Sequence, residues 1–155
     1  MAAAKQPFRK GDDVISIFSG VYTDVTGSNY LPDWGQGQFG SSYAIFDLKG
    51  DKMLNYSNLS YQGLVIGSAV DASAMEFVHI DIWTADNISI EIYPLPAGIL
   101  PANEKFVTRT LVANQWNSFD IPLSEFTSQG LLLNNLKEFK FVGAPWAVGT
   151  VFIDN

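Results

Sequence analysis

The sequence predicts an all-β domain, a sandwich or barrel of antiparallel strands, and three observations carry that reading. Helical periodicity is almost absent over 155 residues, short β-branched and aromatic runs dominate, and clusters of Gly, Pro, Asn and Asp separate those runs. The runs give candidate strands at 14–18, 42–48, 52–56, 60–66, 76–83, 89–93, 106–111, 116–122, 138–142 and 151–154. The best helical candidate is 124–133, and Gly130 spoils it. The length suits one domain with a real core. Residues 1–10, which have no apolar leader segment, are expected to be an expression start or linker remnant, and 11–155 a single sandwich domain. The last strand pattern, Val151 to Asn155, has no turn after it, as expected for a piece of a longer protein.

Composition excludes several functions. Charged residues make up 16% against a typical ~25%, and hydrophobic residues 47%, which describes a globular chain. A net charge of -7 argues against a nucleic-acid partner and against docking on anionic lipid, because both need a basic face. It favours a neutral partner or a cation. No apolar run approaches the ~18 residues of a membrane span, so no membrane insertion is expected. The absence of cysteine excludes a disulfide scaffold, a thiol nucleophile and a zinc–cysteine site.

Strand parity locates the candidate chemistry. In the run from Phe77 to Trp83, Val78, Ile80 and Ile82 form a β-branched core face, so Phe77, His79, Asp81 and Trp83 point the other way. In the run from Ile88 to Tyr93 the isoleucines again point inward, and Ser89, Glu91 and Tyr93 outward. If the two runs form a hairpin, one surface carries His79, Asp81, Trp83, Glu91 and Tyr93 together. Sugar rings have apolar C–H faces and hydroxyl edges, and their recognition needs aromatic platforms beside carboxylates, amides or imidazole. That outward set meets the requirement. Trp34, in a Gly-rich loop, and Trp146, after Pro145, are further platforms, although a loop tryptophan can equally plug the end of a core. Trp116 opens a regular strand and is expected in the core.

An enzymatic alternative uses the same face. Asp81 and Glu91 on one surface could stand at the ~5–9 Å separation of a glycosidase carboxylate pair. A serine triad lacks support, since there is no Gly-x-Ser-x-Gly and only one histidine. A structural or adhesive sandwich without a sugar ligand is the other alternative.

Several strings resemble carbohydrate-binding modules attached to secreted β-glucanases of marine and gut Bacteroidetes. They are Val14-Ile15-Ser16-Ile17-Phe18-Ser19 with Tyr22-Thr23-Asp24-Val25, then Asn29-Tyr30-x-Pro32-x-Trp34-Gly35-Gln36 and Tyr56-x-x-Leu59-x-Tyr61-Gln62-Gly63. His79-Ile80-Asp81-Ile82-Trp83-Thr84, the stretch from Trp116 to Phe126, and the terminal Phe152-Ile153-Asp154-Asn155 complete the series. The resemblance covers nearly the whole chain. It implies a jelly-roll β-sandwich of two antiparallel sheets that binds a polysaccharide, a β-glucan such as laminarin, without catalysing its cleavage. It implies a monomeric module, secreted or on a bacterial surface, that targets a tethered catalytic or surface domain. The matching glycan-contact positions are Trp34, Tyr61, Gln62, His79, Asp81 and Trp83, with Glu91 and Trp146 added from the reading of the residues. The resemblance also implies a structural calcium near the chain ends, which carried onto this sequence points to Ser19, Asp24 and Asp154.

Overall fold

The computed structural model describes residues 1–155 and is dominated by strand. In chain order the strands are β1 (Ser42–Leu48), β2 (Asp51–Ser57), β3 (Tyr61–Val70), β4 (Phe77–Thr84), β5 (Ser89–Pro96), β6 (Val107–Thr110), β7 (Gln115–Pro122), β8 (Leu136–Ala144) and β9 (Thr150–Asp154). They form two antiparallel sheets, one ordered β1-β2-β9-β4-β7 and the other β3-β8-β5-β6. This is the expected β-sandwich. The only α-helix, α1 (Ser124–Thr127), is a single turn. Gly130 adopts a left-handed φ of 89°, after which Leu131 and Leu133 turn into the core.

The core follows strand parity. Leu54, Tyr56, Ile80, Ile82, Val151 and Ile153 come from the five-stranded sheet, and Leu64, Ile66, Ile90, Ile92, Phe139 and Phe141 from the other, within one buried cluster. The Tyr56 ring is fully buried, and its hydroxyl reaches the carbonyl of Tyr30 at 3.0 Å, so the phenol has a partner.

Two expectations are corrected. Residues 14–18 do not form a strand. Ser16 makes one parallel bridge to Asp24, and Ile17 and Phe18 pack against the core without joining a ladder. The larger correction concerns β4 and β5. They are not a hairpin, because β4 lies between β9 and β7 while β5 lies between β8 and β6. Ile80, Ile82, Ile90 and Ile92 point inward as expected, but from opposite sheets, whereas Ile88, expected inward, precedes β5 and is exposed. The connection is an arch pinned by Thr84, whose hydroxyl donates to the carbonyl of Thr150 (2.8 Å) and accepts from the backbone N–H groups of Asp86 and Asn87. The buried Asn87 amide then donates to the carbonyls of Ala144 and Val148.

Residues 2–9 lie along the outer face of the five-stranded sheet. Trp116 donates its indole N–H to the carbonyl of Ala2 (2.8 Å), Ala4 is buried, and the Arg9 guanidinium sits 4.3 Å from the Phe77 ring centroid. Trp116 is therefore on the outer face beneath this segment, opposite Trp83, and not in the core.

Ile82 is fully buried where β4 meets the facing sheet. Ile82→Ala is expected to lower unfolding free energy by about 2–5 kcal/mol, from lost transfer energy plus the cavity left behind. A denaturant midpoint unchanged from wild type would contradict this packing.

Candidate functional site

The sandwich distributes the expected site residues over two outer faces. His79, Asp81 and Trp83 stand on the five-stranded sheet; Tyr61 and Glu91 stand on the four-stranded sheet, where Trp34 and Trp146 join them. No single surface carries the whole set. Asp81 and Glu91 face opposite sides of the molecule, so they cannot flank one glycosidic bond, and the carboxylate-pair expectation is overturned by geometry.

On the five-stranded face His79 and Asp81 find their partners within the chain. Asp81 is only 2% exposed and accepts from the Asn155 side-chain amide at 3.1 Å. His79 lies between two carboxylates, with Nδ1 2.7 Å from Asp120 and Nε2 3.4 Å from Asp81. Asp81 raises the pKa of the imidazole most and Asp120 adds to it, against the opposing effect of burial. Asp120 is nearer, but Asp81 is far better shielded from water, so its influence is screened less. Burial works against the charge on Asp81; hydrogen bonds from His79, Ser118 and Asn155 outweigh it and hold the carboxyl below its usual range. Trp83 packs edge-on against Phe152 (5.8 Å), which does the same against Phe46 (5.4 Å).

The four-stranded face is built differently. One cross-strand row runs Tyr61, Val142, Glu91 and Thr108; the next runs Gly63, Lys140 and Tyr93. Trp34 lies over Gly63. The Tyr61, Phe39 and Trp146 rings gather at the β3 edge with centroids 5.8–6.2 Å apart, and Trp146 is half exposed. Across the sheet, Tyr93 stacks on Phe106 at 4.7 Å, and Lys140 lies 4.1 Å from the Tyr93 centroid while paired with Glu104. The Tyr93 hydroxyl donates to Glu91 (2.7 Å); burial first, then this carboxylate, pushes the phenol pKa up. Phe39, Phe106 and Lys140 were not among the expected contacts, and Tyr93 belonged only to the outward set. The outward parity of Tyr93 was readable, whereas nothing local marks the other three.

Gln62 is 2% exposed and does not reach this surface. Its amide donates to the carbonyls of Pro32 and Gly63 and accepts from the Gln36 amide at 2.9 Å. Gln36, itself fully buried, donates to Pro32 and accepts from the Trp34 N–H. The expected hydroxyl reader is thus a bracket that holds the Trp34 loop on β3.

The expected metal residues have these surroundings. Asp24 accepts from Ser16 at 2.5 Å. Ser19 meets the chain end, with its hydroxyl 3.4 Å from the Asn155 side-chain oxygen. Asp154 is buried; burial, then the nearby Asp51 and Asp81 charges, push its carboxyl up to about 6. Oδ2 of Asp51 is buried without any hydrogen-bond partner.

No family model and no curated protein matches this chain. Among solved structures, it is similar to the family 11 carbohydrate-binding module of the cellulosomal cellulase Lic26A-Cel5E of Clostridium thermocellum, at 18% identity over 90% of each chain with a TM-score of 0.55. It is similar to the Clostridium thermocellum family 11 module in complex with a β-1,3-1,4-mixed-linked tetrasaccharide, at 18% identity, 89% and 91% coverage, and a TM-score of 0.55. A family 30 carbohydrate-binding module matches at 16% identity, covering 90% of this chain and 94% of its own, with a TM-score of 0.56. At these identities the likeness is one of fold: the chain has the sandwich architecture seen in those modules.

The His79 cluster makes a pH prediction. Its folded pKa lies above the ordinary 6.5, so the stability it contributes is fully present below that value and is lost as pH rises through the folded pKa. The stability gap between wild type and His79→Gln is therefore expected to be widest near about pH 5.5 and to narrow toward about pH 8.5. Denaturant titrations at both ends check this, and a gap that widens with pH would contradict it.

Proposed function

We propose that the chain is a non-catalytic carbohydrate-binding module whose four-stranded face takes a neutral polysaccharide, with a β-glucan such as laminarin or mixed-linkage glucan as its ligand. The observation that carries the reading is the composition of that one face. Trp34, Tyr61 and Trp146 supply aromatic platforms along one side, with Glu91, Tyr93 and Lys140 beside them as fixed donors and acceptors. Stacking takes the apolar side of a pyranose, and the polar groups take its hydroxyl edge.

Charge on the same face argues for a neutral ligand. Glu91, Glu104 and Glu138 outnumber Lys140, and Lys140 is already bound by Glu104. A uronate chain would meet net repulsion there, whereas a neutral glucan would not. The fold shared with carbohydrate-binding modules, one of them in complex with a mixed-linked tetrasaccharide, supports the same class. In this reading the module is secreted or displayed on a bacterial surface, and it raises the local substrate concentration of a catalytic or surface domain linked to it.

The reading includes a structural calcium at the chain ends, with its ligands revised. Asp154 and Ser19 are retained, Asp51 and Asn155 join them, and Asp24 is left out because its carboxylate is taken by the Ser16 hydroxyl. The fit rests on an orphaned oxygen of Asp51 and on the gathering of Asp51 and Asp81 near the buried Asp154, whose pKa is raised by burial first and then by those charges. No three acidic or histidine side chains converge there as a complete set. Calcium suits such a site because hydroxyl, amide and backbone oxygens supply part of its six to eight ligands. When bound, the ion would neutralise these carboxylates and tie the Ser19 loop to β9.

Calorimetry against laminarin and mixed-linkage glucan, with alginate as control, tests the ligand. Trp34→Ala and Trp146→Ala are each expected to weaken binding by at least about fivefold, taking base–aromatic stacking as the guide to one ring contact. Trp83→Ala, on the opposite face, should retain wild-type affinity. The reverse pattern would move the site to the five-stranded sheet. For the metal, chelation should lower the melting temperature and added calcium restore it, and Asp51→Asn should abolish that response. Melting indifferent to chelation would remove the ion.

A further inference from the structure

We propose that Gly63 is the positioning residue of the sugar platform, because its missing side chain lets the Trp34 indole lie face-down on β3 and present its other face to the ligand. The inference rests on the four-stranded face being the glycan site. An ideal Cβ at Gly63 would stand 2.4 Å from Cη2, 2.4 Å from Cζ3 and 2.5 Å from Cε3 of Trp34. A point equidistant from three atoms of a ring lies on the axis through the ring's centre. The six-membered ring of the indole is therefore seated squarely over the place a side chain would occupy, with one face toward the strand. Real Cβ atoms do not come this close to carbon, so any other residue at 63 must lift or tilt the ring.

The loop cannot easily follow such a shift. The Trp34 N–H donates to Gln36 Oε1 (2.6 Å), and the Trp34 carbonyl accepts from the Tyr61 hydroxyl (2.7 Å). The Gln36–Gln62 amide pair then fixes the loop to β3 from beneath. With the backbone clamped on both sides, a Cβ at 63 acts on the indole alone. The φ of Gly63 is not in the left-handed region, so the backbone itself accepts alanine.

The seating also selects a ligand class. Gly63 lies in one cross-strand row with Lys140 and Tyr93, so a ring stacked on Trp34 has its edge beside those two side chains. An indole parallel to the sheet takes the flat face of a pyranose. A sugar with only equatorial hydroxyls presents axial C–H groups on both faces and can stack either way up, whereas an axial hydroxyl leaves only one face free to stack. The geometry points to β-linked glucopyranose units over galacto- or manno-configured chains.

Gly63→Ala, Trp34→Ala and the double variant test this by calorimetry on laminarin and mixed-linkage glucan, with galactan and mannan as comparison. Gly63→Ala should lose at least about fivefold in affinity, and adding it to Trp34→Ala should cost nothing further. In the Trp34→Ala background it should likewise not lower the melting temperature, which keeps the test valid if the single variant folds poorly. Wild-type affinity in Gly63→Ala, or an equal loss with and without the indole, would overturn the positioning role. Tighter binding of galactan or mannan would overturn the ligand class. Tryptophan emission and acrylamide quenching read the seating without any ligand: a shift on Gly63→Ala with no polysaccharide bound by wild type would leave the platform standing and sink the glycan reading instead.

Discussion

Packing between the two sheets is the constraint on which the rest of this structure depends. Ile80, Ile82 and Ile153 on one side, and Ile90, Ile92 and Phe141 on the other, are all at most 5% exposed. Burying each such side chain contributes roughly 1.5–3 kcal/mol, whereas one outward polar contact contributes roughly 0.5–1.5. The apolar sets therefore decide which way every strand faces, and the outward residues take whatever surface that choice leaves them. Because β4 and β5 donate their isoleucines from opposite sheets, their outward residues are separated by the thickness of the sandwich.

The two outer faces then have different fates. On the five-stranded sheet, residues 2–9 lie across the surface, Asp81 is enclosed by His79 and Asn155, and the aromatic rings pack on each other. These groups find their partners inside the chain and hold the domain together. On the four-stranded sheet the rings gather at one edge, and the charged groups pair laterally while keeping access to solvent. Such pairing fixes side chains in advance, which would reduce the ordering cost of the proposed binding.

The loop that carries Trp34 shows how a buried polar pair can serve a surface. Gln36 and Gln62 are almost without exposure, and a buried amide left unpartnered costs several kcal/mol on transfer scales. Their hydrogen bonds to each other and to Pro32 relieve that cost in only one arrangement of the loop. Gly35, at a φ of 81°, permits the turn that follows Trp34. The polar interior of the loop thus makes a rigid platform of a residue that alone would be mobile.

By itself the sequence determined the strand content, the inward parity of Val78, Ile80, Ile82, Ile90 and Ile92, and the clustering of aromatic residues suited to a flat ligand. It marked Trp34, Tyr61, Glu91 and Trp146, which the fold brings to one side. Only the tertiary structure decided which sheet each strand joined. Thr84-Ala85-Asp86-Asn87 announces a turn, and alternation within β4 and β5 reads the same whether the chain doubles back or arches across. Likewise nothing local distinguishes Gln62 reading a sugar from Gln62 bracing a loop, or Asp51 on the surface from Asp51 beside Asp154. The physical reason is the same throughout: alternation is a property of neighbouring residues, whereas the partner that satisfies an outward group comes from contacts far apart in the chain.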